Sequence, residues 1–219
     1  MFGKNPIRPP EKGDGSNLFV QEIFLTVQGE GPHAGVPAVF IRLGGCNLAC
    51  EFCDTEFESF VEMGLAEIVA KAMEIRRAAR LAVITGGEPF RQPIAALCEA
   101  LLENGFMVQI ETNGTLYRQI DERVEIICSP KNTGIGYQPI RGDLLKRISA
   151  FKFLISASNP FYHSVVEVGQ TENKIPVFIQ PLDEYDDEKN RLNNAMVTNM
   201  ALDKGYRISI QMHKMLGVD

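Results

Sequence analysis

The sequence predicts one α/β domain in which parallel strands form a closed or partial barrel. Three observations lead there. Short β-branched and apolar runs recur along the chain, each bounded by Gly, Pro or Asn, which is how strands buried on both faces read. Helical stripes lie between several of them, and strand–helix alternation at this pitch calls for βαβ units and a parallel sheet. The runs end in Gly-rich or polar peptides, where such sheets build their sites.

Taken in order, residues 1–17 contain three Pro and three Gly with little apolar content, and read as a flexible N-terminal lead-in to a single domain over 18–219. Residues 19–27 read as a strand that stops at the turn peptide QGEGP. Further strands are expected at 39–43, 81–85, 106–111, 124–128, 151–156, 175–180 and 208–212. Leu65, Ile68, Val69, Ala72 and Met73 make one helical stripe. Ile94, Leu97, Cys98, Leu101 and Leu102 make a second, with Asn104-Gly105 as its stop. Segment 184–204 is polar at first and helical later. Repeats and low-complexity tracts are absent from the sequence.

Composition narrows the function. Hydrophobic residues make up 45% and charged residues 23% of 219, which excludes wholesale disorder and fibrous repeats. A chain this long buries roughly 70% of its unfolded surface and needs no covalent staples. The net charge of −6 argues against nucleic-acid binding, because phosphate contacts need concentrated Lys and Arg. There is no charged start before an apolar h-region, nor any apolar run approaching ~18 residues. The expectation is a cytoplasmic protein with no membrane span.

The five cysteines are odd in number and unevenly placed. Cys46, Cys50 and Cys53 form a C-x3-C-x2-C loop, while Cys98 sits on a helical stripe and Cys128 in a strand, both read as core residues. Disulfide frameworks use even numbers, so the cluster reads as metal ligands in a reducing compartment. Structural zinc takes four ligands, and a catalytic zinc with three thiolates and no His is unusual. Three thiolates on a four-iron cluster leave one iron open to a substrate or cofactor, whereas ferredoxins use four cysteines.

The C-x3-C-x-aromatic-C loop, with Phe52 in the aromatic place, resembles the signature of the radical S-adenosylmethionine superfamily. Around it stand QGEG (28–31), VFIRLGGC (39–46), Asp54-Thr55, TGGEP (85–89), ETNG (111–114), SPK (129–131) and QPLD (180–183). This ordered set resembles the 7-carboxy-7-deazaguanine synthase family over about residues 18–219. The resemblance implies a partial or modified (βα)6 TIM-like barrel, a 4Fe-4S cluster on Cys46, Cys50 and Cys53, and S-adenosylmethionine bound at its open iron. It implies cofactor contacts from Phe52, Gly87, Ser129, Pro130, Lys131, Gln180, Pro181, Leu182 and Asp183. Substrate contacts are implied for Val27, Gln28, Gly29, Arg42, Thr85 and Asp219, and a Mg2+ ligand for Thr55. The implied reaction converts 6-carboxy-5,6,7,8-tetrahydropterin to 7-carboxy-7-deazaguanine with loss of ammonia, in queuosine or other deazapurine biosynthesis. A flavodoxin- or ferredoxin-type electron donor and a homodimer belong to the same expectation.

Other readings stand beside these. Arg42 also reads as a surface or paired cation, Glu88 and Glu111 as helix-start and turn residues, and Lys131 as a turn cap. His33, His163 and His213 form no spaced pair, and Lys152 has no assignable role from sequence. A glycyl-radical activating enzyme shares the cysteine loop, but a protein substrate needs neither a pterin pocket nor Mg2+. A metal-stabilised binding module would leave S-adenosylmethionine intact.

Overall fold

The computed structural model describes residues 5–53, 55–134 and 136–218. Its strands are β1 (Asn17–Val27), β2 (Pro37–Leu43), β3 (Val61–Gly64), β4 (Leu81–Gly86), β5 (Met107–Thr112), β6 (Glu125–Cys128), β7 (Ile148–Ile155), β8 (Val177–Pro181) and β9 (Arg207–Ile208). They join in one sheet in the order β3-β1-β2-β4-β5-β6-β7-β8-β9. From β2 onward every neighbouring pair is parallel. This is the partial α/β barrel expected, with an antiparallel extension that was not: β1 pairs antiparallel with β2 and with β3. Only Met63 of β3 is buried, so that short strand carries almost no apolar signal.

The helices follow the stripes. α1 (Leu65–Ile75) buries Ile68, Val69 and Ala72, and α2 (Ala95–Glu103) buries Leu97, Cys98 and Leu101. Ile68, Leu97 and Leu101, all fully buried, each contribute roughly 1.5–3 kcal/mol. α3 (Gly142–Leu145) is a single turn, and loops replace helices elsewhere between β5 and β8. α4 (Asp187–Lys204) starts where the Asp186 side chain accepts from Lys189 N and stops at Gly205 in the left-handed region.

Strand alternation sorts side chains onto two faces. Val39, Ile41, Ala82, Ile84, Val108, Ile110, Phe151 and Phe153 join the main core with the buried helix residues. On the other face Ala38, Leu81 and Val83 pack together under Phe40, and Ile127, Ala150 and Phe178 pack together. These small apolar groups sit on the inner face of the sheet.

Two expectations need correction. The strand at 208–212 shrinks to β9, followed by helix α5 (Met212–Leu216): Ser209 N still donates to Ile179 O (2.9 Å), but by Met212 the backbone N–H has turned to Gly29 O (3.2 Å). The segment read as a flexible lead-in is docked over residues 5–11. Arg8 N donates to Cys46 O at 2.7 Å and Glu11 N to Arg91 O at 2.7 Å. Two arginines far along the chain supply the partners that its own composition lacks. Arg91 donates to Pro9 O and Glu11 Oε1, and Arg118 to Glu11 O.

Candidate active site

Period-2 alternation places polar side chains on the inner face, towards the C-terminal strand ends. Arg42 comes from β2, Thr85 from β4, Glu111 from β5, Lys152 from β7 and Gln180 from β8, with the apolar Leu154 of β7 beside them. All six line one cavity of about 370 Å³. Cys46, Cys50 and Cys53 line it too, with Val27, Gln28, Phe52, Thr55, Gly87, Ser129, Lys131, Pro181, Leu182 and Asp183. Gly29 and Pro130 do not reach the wall. Gly29 packs against His213 and accepts from Met212 N at 3.2 Å, and Pro130 is buried behind. Asp219 lies outside the described residues.

The cysteine loop leaves β2 through Gly44 and Gly45 and is tied to the loop after β4. Gly87 N donates to Leu43 O (3.2 Å) and Glu88 N to Gly45 O (3.1 Å). A Cβ on Gly87 would stand 2.2 Å from Gly45 O and 2.8 Å from the Cys46 Cβ, so only glycine permits this approach. Cys46 is buried and receives Leu48 N at 3.4 Å. Burial, aided by the Glu88 carboxylate, pushes its thiol up to about 12. Burial raises Cys50 as well, against the pull of Lys131. To ligate a metal both thiols would have to lose their protons, and the charge of the bound metal is what stabilises thiolates in such a place. Among the described residues no three His, Cys, Asp or Glu side chains are grouped as ligands of a single ion. The donor set fits a cluster: three soft sulfur ligands on one loop, facing one cavity. Cys98 and Cys128 lie in the apolar core.

Glu88 is fully buried and ties two loops together. Its carboxylate accepts from Phe90 N (3.0 Å), Thr112 Oγ1 (2.8 Å) and Asn113 N (2.8 Å). Burial outweighs those bonds and pushes its pKa up to about 7. Asn113 in turn points its amide at Asn47 Oδ1 (3.0 Å) and the Cys46 sulfur (4.0 Å). The GGEP and ETNG motifs thus form a polar frame behind the first cysteine.

The opposite wall holds an ion-paired lysine. Lys152, 5% exposed, donates to Glu30 Oε2 and, at 3.1 Å, to Glu111 Oε2. Burial would lower the lysine pKa, but the two carboxylates keep it above its usual value. Burial would likewise raise Glu30, and the ammonium beside it brings it well below the carboxylate range. Gln28 Nε2 donates to Glu111 Oε1 (3.0 Å), while Gln180 and Gln211 donate to Glu30 Oε1 at 3.1 and 3.0 Å. The sequence reading passed over Lys152 and Glu30 as site residues. The available signal was a lone lysine at an inward position of an otherwise apolar strand.

The remaining walls are simpler. Arg42 lies over the Phe24 ring and pairs with the half-exposed Glu22 (2.6 Å), leaving its charge at the cavity mouth. Lys131 donates to Ser129 Oγ at 2.7 Å. Phe52 stands edge-on to Tyr162, centroids 4.8 Å apart, and Asp183 pairs with Lys214 at 2.6 Å.

Comparison with known proteins agrees with this geometry. A model of the Radical SAM superfamily matches residues 40–148. A 7-carboxy-7-deazaguanine synthase of Rickettsia prowazekii is 51% identical, over all of this chain and 96% of its own length. One from Rhodospirillum rubrum is 40% identical over the full length of both. The crystal structure of QueE from Escherichia coli superposes with a TM-score of 0.71 at 25% identity, covering 90% of this chain and 95% of that one. With full-length relatives this similar, the chain belongs to the 7-carboxy-7-deazaguanine synthase family of radical S-adenosylmethionine enzymes.

Proposed function

We infer that the chain is a 7-carboxy-7-deazaguanine synthase, which contracts the ring of 6-carboxy-5,6,7,8-tetrahydropterin with release of ammonia. The observation that supports this most is the convergence of the cysteine loop, Thr55, Arg42 and the Gln28–Glu111 pair on one cavity. Cys46, Cys50 and Cys53 would hold the 4Fe-4S cluster. Once reduced by an external electron donor, that cluster would supply the one electron for reductive cleavage of S-adenosylmethionine, the chemistry that starts the reaction.

The rest falls to side chains. Gly87, Phe52, Ser129, Lys131 and residues 180–183 line the same cavity as the three cysteines and are proposed to hold S-adenosylmethionine, with Pro130 supporting them from behind. Arg42 offers a planar guanidinium for the substrate carboxylate, its Glu22 partner being exposed enough to yield. The Thr55 hydroxyl is proposed as a ligand of Mg2+, which takes few protein oxygens when substrate and water fill the rest. Val27, Gln28, Gly29, Thr85 and Asp219 complete the proposed pterin contacts, Gly29 from behind the wall. A flavodoxin or ferredoxin as electron donor and a homodimeric assembly are proposed with them. Anaerobic reconstitution, then incubation with carboxytetrahydropterin, S-adenosylmethionine, Mg2+ and dithionite, should yield 7-carboxy-7-deazaguanine and ammonium. A brown, cluster-loaded protein giving neither product would overturn the assignment.

A further inference from the structure

Residues 5–11 run along the cysteine loop and touch both of its ends, with Asn5 reaching the cavity wall. At the first, Ile7 bridges Cys46, and Arg8 N donates to Cys46 O at 2.7 Å. At the second, the Asn5 side-chain amide donates to the Cys53 sulfur at 3.9 Å and to Thr55 O at 3.4 Å. The segment is fixed in place by buried charge. Arg91, fully buried, pairs with Glu11 at 2.5 Å and also donates to Pro9 O (3.2 Å) and to Gly44 O (2.9 Å), at the root of the cysteine loop. Arg118 adds a bond to Glu11 O at 2.5 Å, and Arg8 pairs with Glu58 at 2.5 Å. Gly45 makes room: a Cβ there would stand 2.8 Å from Arg8 Cδ and 2.9 Å from the Arg91 guanidinium. A flexible tail would need none of this.

We propose that residues 5–11 form a strap that sets the outer sphere of the iron–sulfur cluster, with Asn5 as a positioning and tuning residue acting through the Cys53 sulfur. This rests on the reading of Cys46, Cys50 and Cys53 as cluster ligands. An N–H donated to a ligating sulfur stabilises the extra negative charge of the reduced cluster and raises its reduction potential. The amide's second hydrogen, on Thr55 O, holds the far end of the loop. Anchored at both ends, the loop keeps its sulfurs in position and resists loss of iron.

The test uses the full-length protein, reconstituted anaerobically, in wild-type, Asn5→Ala and Asn5→Asp forms. Asn5 is partly exposed, so neither change threatens the fold. Measured are iron and sulfide per chain, midpoint potential by EPR-monitored titration, and the rate of iron removal by a chelator. Asn5→Ala should bind the cluster, titrate at a more negative potential and lose iron on the order of ten-fold faster. Asn5→Asp removes the donor and adds a charge, so its potential should fall below that of Asn5→Ala. Equal potentials in all three proteins overturn the proposal, even if iron is lost faster, because an anchor alone would not move the potential. If the wild-type chain itself assembles no cluster, the cysteine assignment is what fails.

Discussion

Lys152 Nζ lies 3.1 Å from Glu111 Oε2, across the intervening strand β6 and on the inner face of the barrel. With Glu30 as its second partner, the lysine is the cation between two carboxylates that also carry the amides of Gln28, Gln180 and Gln211. One ammonium therefore aligns side chains from the turn after β1, from β5, from β8 and from the segment before α5.

Replacing that ammonium should be costly. Lys152→Met leaves two buried carboxylates facing each other, a loss of about 3–5 kcal/mol in denaturant unfolding. The folded-state pKa of Glu30 lies below its ordinary 4.5, so its share of stability is present above that pH and drains away as pH falls further. Lys152 is shifted upward, so its share is complete below 10.5 and is lost only in strong alkali. The gap between wild type and variant should hence be constant near neutrality and narrow below pH 4.5. A gap that widens there would contradict the pairing.

Glu88 should act in the opposite sense. Its pKa of about 7 lies above the ordinary 4.5, so the folded protein keeps the proton longer than the unfolded chain. Stability should fall as pH rises from 4.5 to about 7, by on the order of 3 kcal/mol, and stay reduced above that. Glu88→Gln should remove this slope while losing roughly 1–3 kcal/mol of its own, because its NH2 would face the Asn113 N–H. Parallel stability curves for the two proteins would rule the argument out.

The five cysteines should divide three to two. Cys50→Ala should abolish both iron binding and turnover. Cys98→Ala and Cys128→Ala should retain full iron content and lose only about 1–2 kcal/mol of stability, since both side chains pack in the core. Iron assays on the reconstituted variants decide it; retained cluster in Cys50→Ala is the contrary result.

At the cavity mouth, Arg42→Met should raise KM for the pterin about 10- to 100-fold, the worth of one charged hydrogen bond. Glu22→Gln, which frees the guanidinium, should lower it. Thr55→Ala should raise the Mg2+ concentration needed for half-maximal rate without changing iron content. Equal loss of iron and Mg2+ response would deny Thr55 a separate role.

Much of this was legible from sequence because its signals are local. Strand β4 reads as an apolar run since both its faces are buried, and α2 reads as a stripe because one face is. The cysteine loop and the Gly- and Asn-rich strand ends name themselves by residue type, and the cavity gathers them. The illegible parts depend on partners distant in the chain. Residues 5–11 look like a tail until Arg91 and Arg118 are seen to hold them. Lys152 looks misplaced until Glu30 and Glu111 arrive from other strands. Residues 208–212 have a strand's composition, but past Ser209 the chain turns to residues 29–31, where Gln211 meets Glu30 and Met212 N meets Gly29 O.

The bonds between residues 209–212 and residues 29–31 also fix the order in which the site can come into being. Gln211 meets Glu30 across 181 positions of sequence, and Ser209 meets Gly31 across 178. During synthesis the cysteine loop and most of the sheet are complete long before these residues exist. Loop closure over such a separation is also among the slowest contacts to form. The wall built on Glu30 and Gln211 is therefore the last part of the cavity to be assembled, well after the cysteine loop has been synthesised.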